Sequence, residues 1–374
     1  FYLHDERKGN TQDEYGYRTS WNLLITEDGV NIKDCGIVLP VGEYEDADYA
    51  CYTGSVIEGN DSKFHMFYTA QNNYNPKYHR NGRPLQYVAH AISEDLIHWE
   101  KLPELTFGAD ESIYEPFDWR DPFVFYNEEE ECFDMLLAAR LQGASEKNGG
   151  CVGLCRSYDL IHWKAMQPFY NPQSYMTHEC PDLFKMGDKW YLIYSTFSEK
   201  FVTHYRMADK ISGPWTAPIE DTFDARAFYA AKTAQAKDVR MAFAWVPTKR
   251  GDSDFGQYEW GGNLIAHEIK QDKDGKLKVK PSNGLINIFE KEITANNIED
   301  VEVKKFGDFF AANAIHVGEY SDIIHTYISL KRWIEEKGLV VNGPVTERFM
   351  LSPVDLPNTK SHIVKIIVPV KPII

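Results

Sequence analysis

The chain has 374 residues and is 43% apolar, which is enough to bury the core of one large domain and a small one. Its formal net charge of −16 argues against nucleic acid and anionic membranes as partners, and no apolar run reaches the ~20 residues of a membrane span. None of the six cysteines forms a Cys-x-x-Cys pair, so the sequence predicts free thiols, no metal and no other cofactor. Free thiols favour the cytoplasm, but the localisation stays open.

Residues 1 to about 285 repeat one pattern, which combines an aromatic-rich strand, a strand of small residues, a Ser-x-Asp-Leu type of turn and a Trp. The first strands lie at 1–3, 66–70, 135–139, 190–195 and 241–245, and Asp-Leu-Ile-His-Trp is identical at 95–99 and 159–163. One small sheet cannot bury both of its faces alone, so such repeats predict an all-β five-bladed β-propeller. The aromatic content of 14% suits this core, and it also suits stacking on sugar rings.

Two acids precede apolar strands of the repeats, Asp121 in Trp-Arg-Asp-Pro and Glu179 in His-Glu-Cys-Pro-Asp. Because a proline follows each acid within two residues, we expect the two to occupy matching positions and to face one central funnel. Cleavage of a glycoside requires two such carboxyl groups. Arg120 is expected to keep Asp121 ionised and to bind a sugar hydroxyl. The alternative is that both acids are ordinary turn residues.

After a turn signal at 281–284 the pattern changes. Ser321 is predicted to cap a helix over 322–336, whose apolar residues follow helical spacing, and Gly338 to end it. Strand-like runs follow at 345–351 and 363–370. The sequence therefore predicts a small α+β module of the strand–helix–strand–strand type, with domains at 1–285 and 296–374.

Over residues 1–285 the chain resembles glycoside hydrolase family 32, the group of invertases, levanases and inulinases. The similar segments occur in the order found in that family, at 52–55, 119–123, 179–184, 228–233 and 260–264. The resemblance implies a retaining hydrolase of β-fructofuranosidic bonds, a clan J enzyme whose partner is a fructoside substrate. Two alternatives stay open: a carbohydrate-binding propeller without catalysis, and a related five-bladed enzyme, either an arabinanase or a fructosyl transferase.

The same resemblance implies residue roles. Glu179 is expected to be the general acid/base, and Asp121, assisted by Arg120, to stabilise the oxocarbenium-like transition state. Cys180 is expected to tune the acid, although a free cysteine is more often a small core residue. The further substrate-binding residues that it implies are Trp21, Tyr52, Ser55, Asp224, Tyr229 and Trp260.

The sequence departs from the family pattern at both ends. The nucleophilic Asp of the family lies upstream of the strand that residues 1–3 match, so we expect a truncated N-terminus and a chain inactive in hydrolysis. Asp5 is the nearest acid, but it follows that strand. The C-terminal β-sandwich of the family is also missing.

Segments at 316–320, 333–339, 343–347 and 368–371 instead resemble one half of a GyrI-like effector-binding domain. That resemblance implies Glu347 as a pocket acid, and self-association through this module to complete the pocket. A surface or salt-bridge role for Glu347 is the alternative.

Overall fold

The computed structural model describes residues 2–4, 18–198, 201–224, 227–252, 256–289, 309–351 and 362–373. The chain forms two compact units, one of residues 1–247 with 261–289 and one of residues 248–260 with 290–374. No helix in these described ranges has the length and hydropathy needed to cross a membrane.

Five antiparallel sheets follow one another along the first part of the chain, as the repeats predict. The first sheet contains β1 (Tyr2–His4), β2 (Trp21–Thr26) and β3 (Ile32–Leu39). The second contains β4 (Ala50–Glu58), β5 (Phe64–Gln71), β8 (Gln86–Ser93) and β9 (Glu100–Lys101), and a hairpin of β6 (His79–Arg80) and β7 (Arg83–Pro84) lies between β5 and β8 in the chain.

The third sheet contains β10 (Tyr114–Asn127), β11 (Cys132–Leu141), β12 (Gly150–Ser157) and β13 (Lys164–Tyr170). The fourth contains β14 (Glu179–Met186), β15 (Lys189–Thr196) and β16 (Val202–Ala208). The fifth contains β17 (Tyr229–Ala236), β18 (Val239–Lys249), β19 (Tyr258–Gln271) and β20 (Leu277–Pro281), and a short helix, α1 (Asn283–Ile288), follows it.

The apolar core lies between successive sheets. On β5, Met66 and Tyr68 pack in the cluster shared with the first sheet, whereas Phe67 packs in the cluster shared with the third sheet. This is the alternation that strand geometry imposes, because successive side chains point to opposite faces. Similar clusters join the third sheet to the fourth and the fourth to the fifth. Each inner sheet thus buries both faces, which is why the repeats are stable only as neighbours.

The repeated Asp-Leu-Ile-His-Trp segment forms the same turn in both copies. In the first copy, Asp95 accepts hydrogen bonds from the backbone N–H groups of Ile97 (2.9 Å) and His98 (2.8 Å). The indole of Trp99 donates to the carbonyl of Leu96 at 3.1 Å and packs in the cluster between the first two sheets. The motif therefore shapes the turn and fills the space between sheets.

The innermost strands β4, β10, β14 and β17 each contain a β-bulge. Register shifts occur between Cys51 and Gly54, between Arg120 and Phe123, between Glu179 and Asp182, and between Tyr229 and Lys232. The residues after Arg120, Glu179 and Tyr229 have φ values of 59°, 51° and 55°. A bulge adds an unpaired residue and bends the strand, so it re-aims the side chains beside it.

The backbone N–H groups of the bulged residues in β10, β14 and β17 donate hydrogen bonds to side chains of the preceding sheet. The N–H of Asp121 donates to Thr69 Oγ1 (2.7 Å), that of Cys180 to Asp121 Oδ2 (2.8 Å), and that of Ala230 to Ser195 Oγ (3.0 Å). A buried N–H without a partner in its own sheet needs one elsewhere. These side-chain contacts therefore link the second sheet to the third, the third to the fourth, and the fourth to the fifth.

The second unit is a sheet with one long helix. Its strands are β21 (Ala311–Gly318), β22 (Leu339–Val341), β23 (Thr346–Leu351) and β24 (His362–Pro372), and its helix is α2 (Ile323–Glu336). Strand β24 pairs with the other three, and Leu330 and Ile334 of α2 pack against Ile366 and Val368. The short strand β22 was not foreseen from the sequence.

Two local predictions are wrong, one in the second unit at Ser321 and one at the end of the first unit at 281–284. A 3₁₀ turn, Tyr320–Asp322, runs directly into α2, so Ser321 lies inside a helical turn and does not cap the helix. The segment at 281–284 is not only a turn, because the Ser282 hydroxyl accepts a hydrogen bond from the N–H of Leu285 and starts α1. Gly338 follows α2 with φ +65°, as expected of the residue that ends a helix.

Gly54 provides a test of the inner-strand geometry. A Cβ at this position would lie 2.0 Å from the carbonyl oxygen of Phe67 on the adjacent strand, so Gly54→Ala is expected to destabilise the protein by about 1–3 kcal/mol. At Gly108 a Cβ would meet only the Tyr87 ring at 3.5 Å, which makes Gly108→Ala the matched control. Urea unfolding of both variants measures the difference, and equal stabilities would contradict the close approach.

Candidate active site

Arg120, Glu179 and Tyr229 occupy equivalent places in three successive sheets. Each lies directly before the bulge of its inner strand and pairs with the second strand of its sheet. Asp121 lies on the bulge itself and therefore corresponds to Cys180. The prediction that Asp121 and Glu179 occupy matching positions is wrong, because one motif has its acid one residue before the proline and the other has it two residues before.

These three equivalent side chains meet. The guanidinium of Arg120 donates to Glu179 Oε1 at 2.8 Å, and the hydroxyl of Tyr229 donates to Glu179 Oε2. The side chain of Glu179 is 12% exposed, and Tyr229 is buried. A carboxyl group held from both sides in this way has a fixed orientation, which a proton donor to a bound substrate requires.

Burial raises the pKa of Glu179 above its ordinary value, and the nearby charge of Asp121 raises it further. The charge of Arg120 and the hydrogen bonds from Arg120 and Tyr229 act in the opposite direction, but burial is the largest effect. The group therefore keeps its proton to a higher pH than an exposed glutamate. That is the direction expected of a general acid.

Asp121 is buried and is already committed to the backbone. Its Oδ2 accepts the hydrogen bond from the N–H of Cys180, the residue directly after Glu179. Arg120 Nε lies 4.0 Å from the same oxygen, whereas the terminal nitrogens of Arg120 bond Glu179 and Asp118. The contact predicted between Arg120 and Asp121 is thus the longest of the three contacts that Arg120 makes with carboxylates.

The other predicted binding residues form contacts of several kinds. Trp21 is buried between the first two sheets, and its indole donates to the carbonyl of Tyr52 at 3.0 Å. The hydroxyl of Ser55 accepts a hydrogen bond from the N–H of Val124 at 2.9 Å, which joins β4 to β10. Their roles toward a substrate stay predictions.

Asp224 and Trp260 belong to the same predicted set. Asp224 Oδ2 lies 2.9 Å from His267 Nε2 of β19. The Trp260 side chain lies outside the described residues, and so does Asp5. The thiol of Cys180 is buried, which raises its pKa well above the ordinary value and keeps it neutral, as expected of a core cysteine.

Several residues around Glu179 were not foreseen. Asp118 bonds Arg120, and Gln86 Oε1 accepts hydrogen bonds from Arg120 Nη1 (3.2 Å) and from the N–H of Trp119 (3.0 Å). Asp118 precedes Arg120 by two residues, but it lies in a register irregularity of β10 between Tyr114 and Trp119, so strand alternation alone does not predict their contact. No feature of the sequence pointed to Gln86.

A large cavity in the described part of the chain lies elsewhere. It has a volume of about 1470 Å³ and is lined by residues of the first, second and fifth sheets, among them Leu24, Val56 and Met241. Neither Glu179 nor Asp121 lines it. We place the candidate site at the Glu179 cluster, because charged and hydrogen-bonding groups converge there.

In the second unit, the Glu347 carboxylate accepts hydrogen bonds from the hydroxyls of Tyr320 (2.7 Å) and Tyr327 (2.6 Å). Burial and the hydrogen bond to Glu347 raise the pKa of Tyr327 above its ordinary value. Glu347 is thus a hydrogen-bonded acid that contacts two neutral side chains. Its role in an effector pocket stays a prediction.

A sequence profile described as "Glycosyl hydrolases family 32 N-terminal domain" matches residues 1–281. A sucrose-6-phosphate hydrolase of Escherichia coli is 24% identical over 278 residues, which cover 70% of this chain and 55% of that protein. The levanbiose-producing levanase of Bacillus subtilis strain 168 is 24% identical over 271 residues, covering 66% of this chain and 47% of the levanase. The chain thus spans about half the length of these curated relatives.

The structure is similar to that of a sucrose-6-phosphate hydrolase from Lactobacillus gasseri. The TM-score is 0.62 at 18% sequence identity, and the match covers 85% of this chain and 66% of the other. At this identity the likeness establishes the fold. The fold of the matched N-terminal domain is a five-bladed β-propeller, which the five sheets of this chain form.

The raised pKa of Glu179 predicts a pH-dependent cost in stability. The folded protein holds this proton at pH values where the unfolded chain, with an ordinary glutamate pKa near 4.5, has lost it. Wild-type stability therefore falls as the pH rises through this window. Glu179→Gln does not titrate, so its melting temperature relative to wild type is expected to increase as the pH rises above about 4.5.

Thermal unfolding of both proteins across this range measures the effect. Glu111→Gln is the control, because the hydrogen bond from Arg80 lowers the pKa of Glu111, so this group titrates below about pH 4.5 and its variant is expected to show no trend over the same range. A Glu179→Gln advantage that stays constant or shrinks with rising pH would contradict the protonated state of Glu179.

Proposed function

Because the chain belongs to glycosyl hydrolase family 32, we propose that it acts on β-fructofuranosidic bonds with Glu179 as the general acid/base. The observation that carries this proposal is the buried Glu179 carboxyl, which Arg120 and Tyr229 hold from two neighbouring sheets. Its raised pKa supports the same role. Few structural needs explain an acid that is kept both protonated and oriented.

In the proposed reaction, Glu179 gives its proton to the glycosidic oxygen as the bond to the anomeric carbon breaks. A second carboxylate attacks that carbon and forms a covalent fructosyl intermediate. Glu179, now ionised, takes a proton from a water molecule, whose oxygen bonds to the anomeric carbon as the second carboxylate leaves, and fructose is released with retained configuration. The bonds from Arg120 and Tyr229 stabilise Glu179 in this ionised interval.

Asp121 is proposed to bind fructose hydroxyls and to stabilise the positive charge of the transition state, with Arg120 assisting. The buried position of Asp121 beside the Glu179–Cys180 peptide supports this role. Further substrate contacts are proposed for the remaining predicted binding residues, namely Trp21, Tyr52, Ser55, Asp224, Tyr229 and Trp260. We assign the part of the nucleophile to none of the described carboxylates.

The named relatives suggest a range of substrates. Sucrose-6-phosphate hydrolases and a levanase are among them, so we propose a fructoside and leave the leaving group to the experiment. A fructosyl transferase would use the same first step and differ only in the acceptor that attacks the intermediate. A binding propeller would retain the contacts and lack turnover.

Binding and turnover separate these functions. Glu179→Gln in the full-length protein is expected to lower turnover of sucrose by at least about 10²-fold, because proton donation is lost, and to leave binding nearly unchanged. Calorimetry with sucrose, sucrose 6-phosphate and fragments of levan and inulin measures binding, and a reducing-sugar assay measures hydrolysis. Glu111→Gln, which removes an exposed carboxylate outside the Glu179 cluster, is the control.

Each outcome distinguishes one function. Release of glucose without free fructose indicates transfer, and binding without turnover in the full-length protein indicates a binding propeller. Absence of both binding and cleavage for every fructoside would reject the proposed substrate class.

The acid of the second unit is a separate proposal. The two tyrosine hydroxyls that meet at Glu347 support a small polar site, and we propose that Glu347 binds an effector there. Self-association through this unit is proposed as the way to complete such a pocket.

A further inference from the structure

A second group of charged residues lies beside the proposed acid. Glu115 and Asp118 of β10 face Arg140 of β11, whose Nε lies 3.2 Å from Glu115 Oε1 and 3.6 Å from Asp118 Oδ2. Asp118 also bonds Nη1 of Arg120, and Glu115 shares a hydrogen bond with Asp118. These contacts form a continuous path from Arg140 through Asp118 and Arg120 to Glu179.

Arg120 is divided between two carboxylates. Its Nη1 bonds Asp118 and Gln86, and its Nη2 bonds Glu179. A planar guanidinium that is held at one nitrogen can direct the other nitrogen to only one place. Asp118 therefore helps to fix the orientation of Arg120. It also balances part of the Arg120 charge that acts on Glu179.

Asp118 is itself held by a rigid neighbour. The Arg140 side chain is only 7% exposed, and it also donates to the backbone carbonyls of Ser145, Glu146 and Met176. Such an arginine cannot follow Asp118 if it moves, so it fixes the carboxylate in place.

The charges of this cluster do not balance when every carboxyl is ionised. Four carboxyl groups, namely Glu115, Asp118, Asp121 and Glu179, face the guanidinium groups of Arg120 and Arg140, and Arg83 is a third cation that acts on Glu115. Burial, together with Asp118, raises the pKa of Glu115 to about 7. Burial is the largest single effect on Asp118 and opposes its ionisation, but the charges of Arg120 and Arg140 and the hydrogen bonds with Arg120 and Glu115 together outweigh it and lower the pKa of Asp118. The cluster thus favours the charged form of Asp118 and raises the pKa of both Glu115 and Glu179.

We propose that Asp118 is a positioning residue for the acid: it binds Nη1 of Arg120 and balances part of the Arg120 charge beside Glu179. Arg140 holds Asp118 in place. The proposal rests on the proposed function only in calling Glu179 the acid. Without Asp118, the whole charge of Arg120 would favour the ionised form of Glu179.

The experiment is a titration of Glu179 by NMR in protein labelled with ¹³C at the glutamate carboxyls, with the signal assigned by its loss in Glu179→Gln. Asp118→Asn is expected to lower the titration midpoint of Glu179 by about one pH unit, a tenfold change in its acid dissociation constant. Asp118→Glu, which keeps the carboxylate, is expected to restore most of the wild-type midpoint.

Glu115→Gln is the matched control, because it removes a carboxyl from the same cluster and leaves Asp118 charged. Its effect on the Glu179 midpoint is expected to be much smaller. The other groups that face Glu179 stay in place in every variant, namely Arg120, Asp121, Cys180 and Tyr229. Arg83, which acts on Glu115, is also unchanged.

An unchanged Glu179 midpoint in Asp118→Asn, with only a lower melting temperature, would overturn the proposal and leave Asp118 a structural residue. Asp118→Ser provides the same test if the Asn variant does not fold. Because the readout is proton occupancy and not turnover, it is independent of the substrate. A protein that shows the shift yet cleaves no fructoside would keep this inference and reject the proposed function.

Discussion

The inner strands of this protein depend on one constraint, which is that a bulged residue exposes a backbone N–H that its own sheet cannot bond. Each such N–H in β10, β14 and β17 is bonded by a side-chain oxygen of the sheet before it. For β14 that oxygen belongs to Asp121. The contact that joins the third sheet to the fourth is therefore the same contact that places the Asp121 carboxylate beside Glu179. The same hydrogen bond therefore joins the two sheets and positions the site.

The electrostatic cost of the site follows from this arrangement. Bringing Asp121 and Asp118 close to a buried Glu179 adds like charge where water is excluded, and Arg120, Arg140 and Arg83 do not balance four carboxyls. Such an excess is unfavourable for folding unless protons remain bound. Burial lessens the excess because it raises the pKa of Glu115 and of Glu179. Perturbed acids in a cluster of this kind are typical of functional sites, since structure alone gains nothing from them.

The sequence predicts the sheets well and the site only in part, for physical reasons. The Asp-Leu-Ile-His-Trp turns could be recognised because their hydrogen bonds are local, between Asp95 and the residues that follow it. The relative positions of Asp121 and Glu179 could not, because a bulge shifts the register by one residue and leaves no clear mark in the sequence. The position of Asp118 could not be predicted because it lies in a register irregularity of β10 between Tyr114 and Trp119. That of Gln86 could not, because Gln86 comes from another sheet.

Equivalent positions in successive sheets hold different side chains, which explains how a repeated fold can place its proposed general acid in one sheet. The place before the bulge holds a cation in the third sheet, an acid in the fourth and a phenol in the fifth, namely Arg120, Glu179 and Tyr229. Neighbouring equivalent positions meet, so Glu179 is bonded by the sheet on either side of it. Its proton affinity is then set by burial and by residues that belong to other repeats, namely Arg120, Asp121 and Tyr229. A change in the fourth sheet can remove the acid, and changes in the third or the fifth can tune it. This is why Asp118, two residues from Arg120 and in a different sheet from Glu179, is in a position to control it.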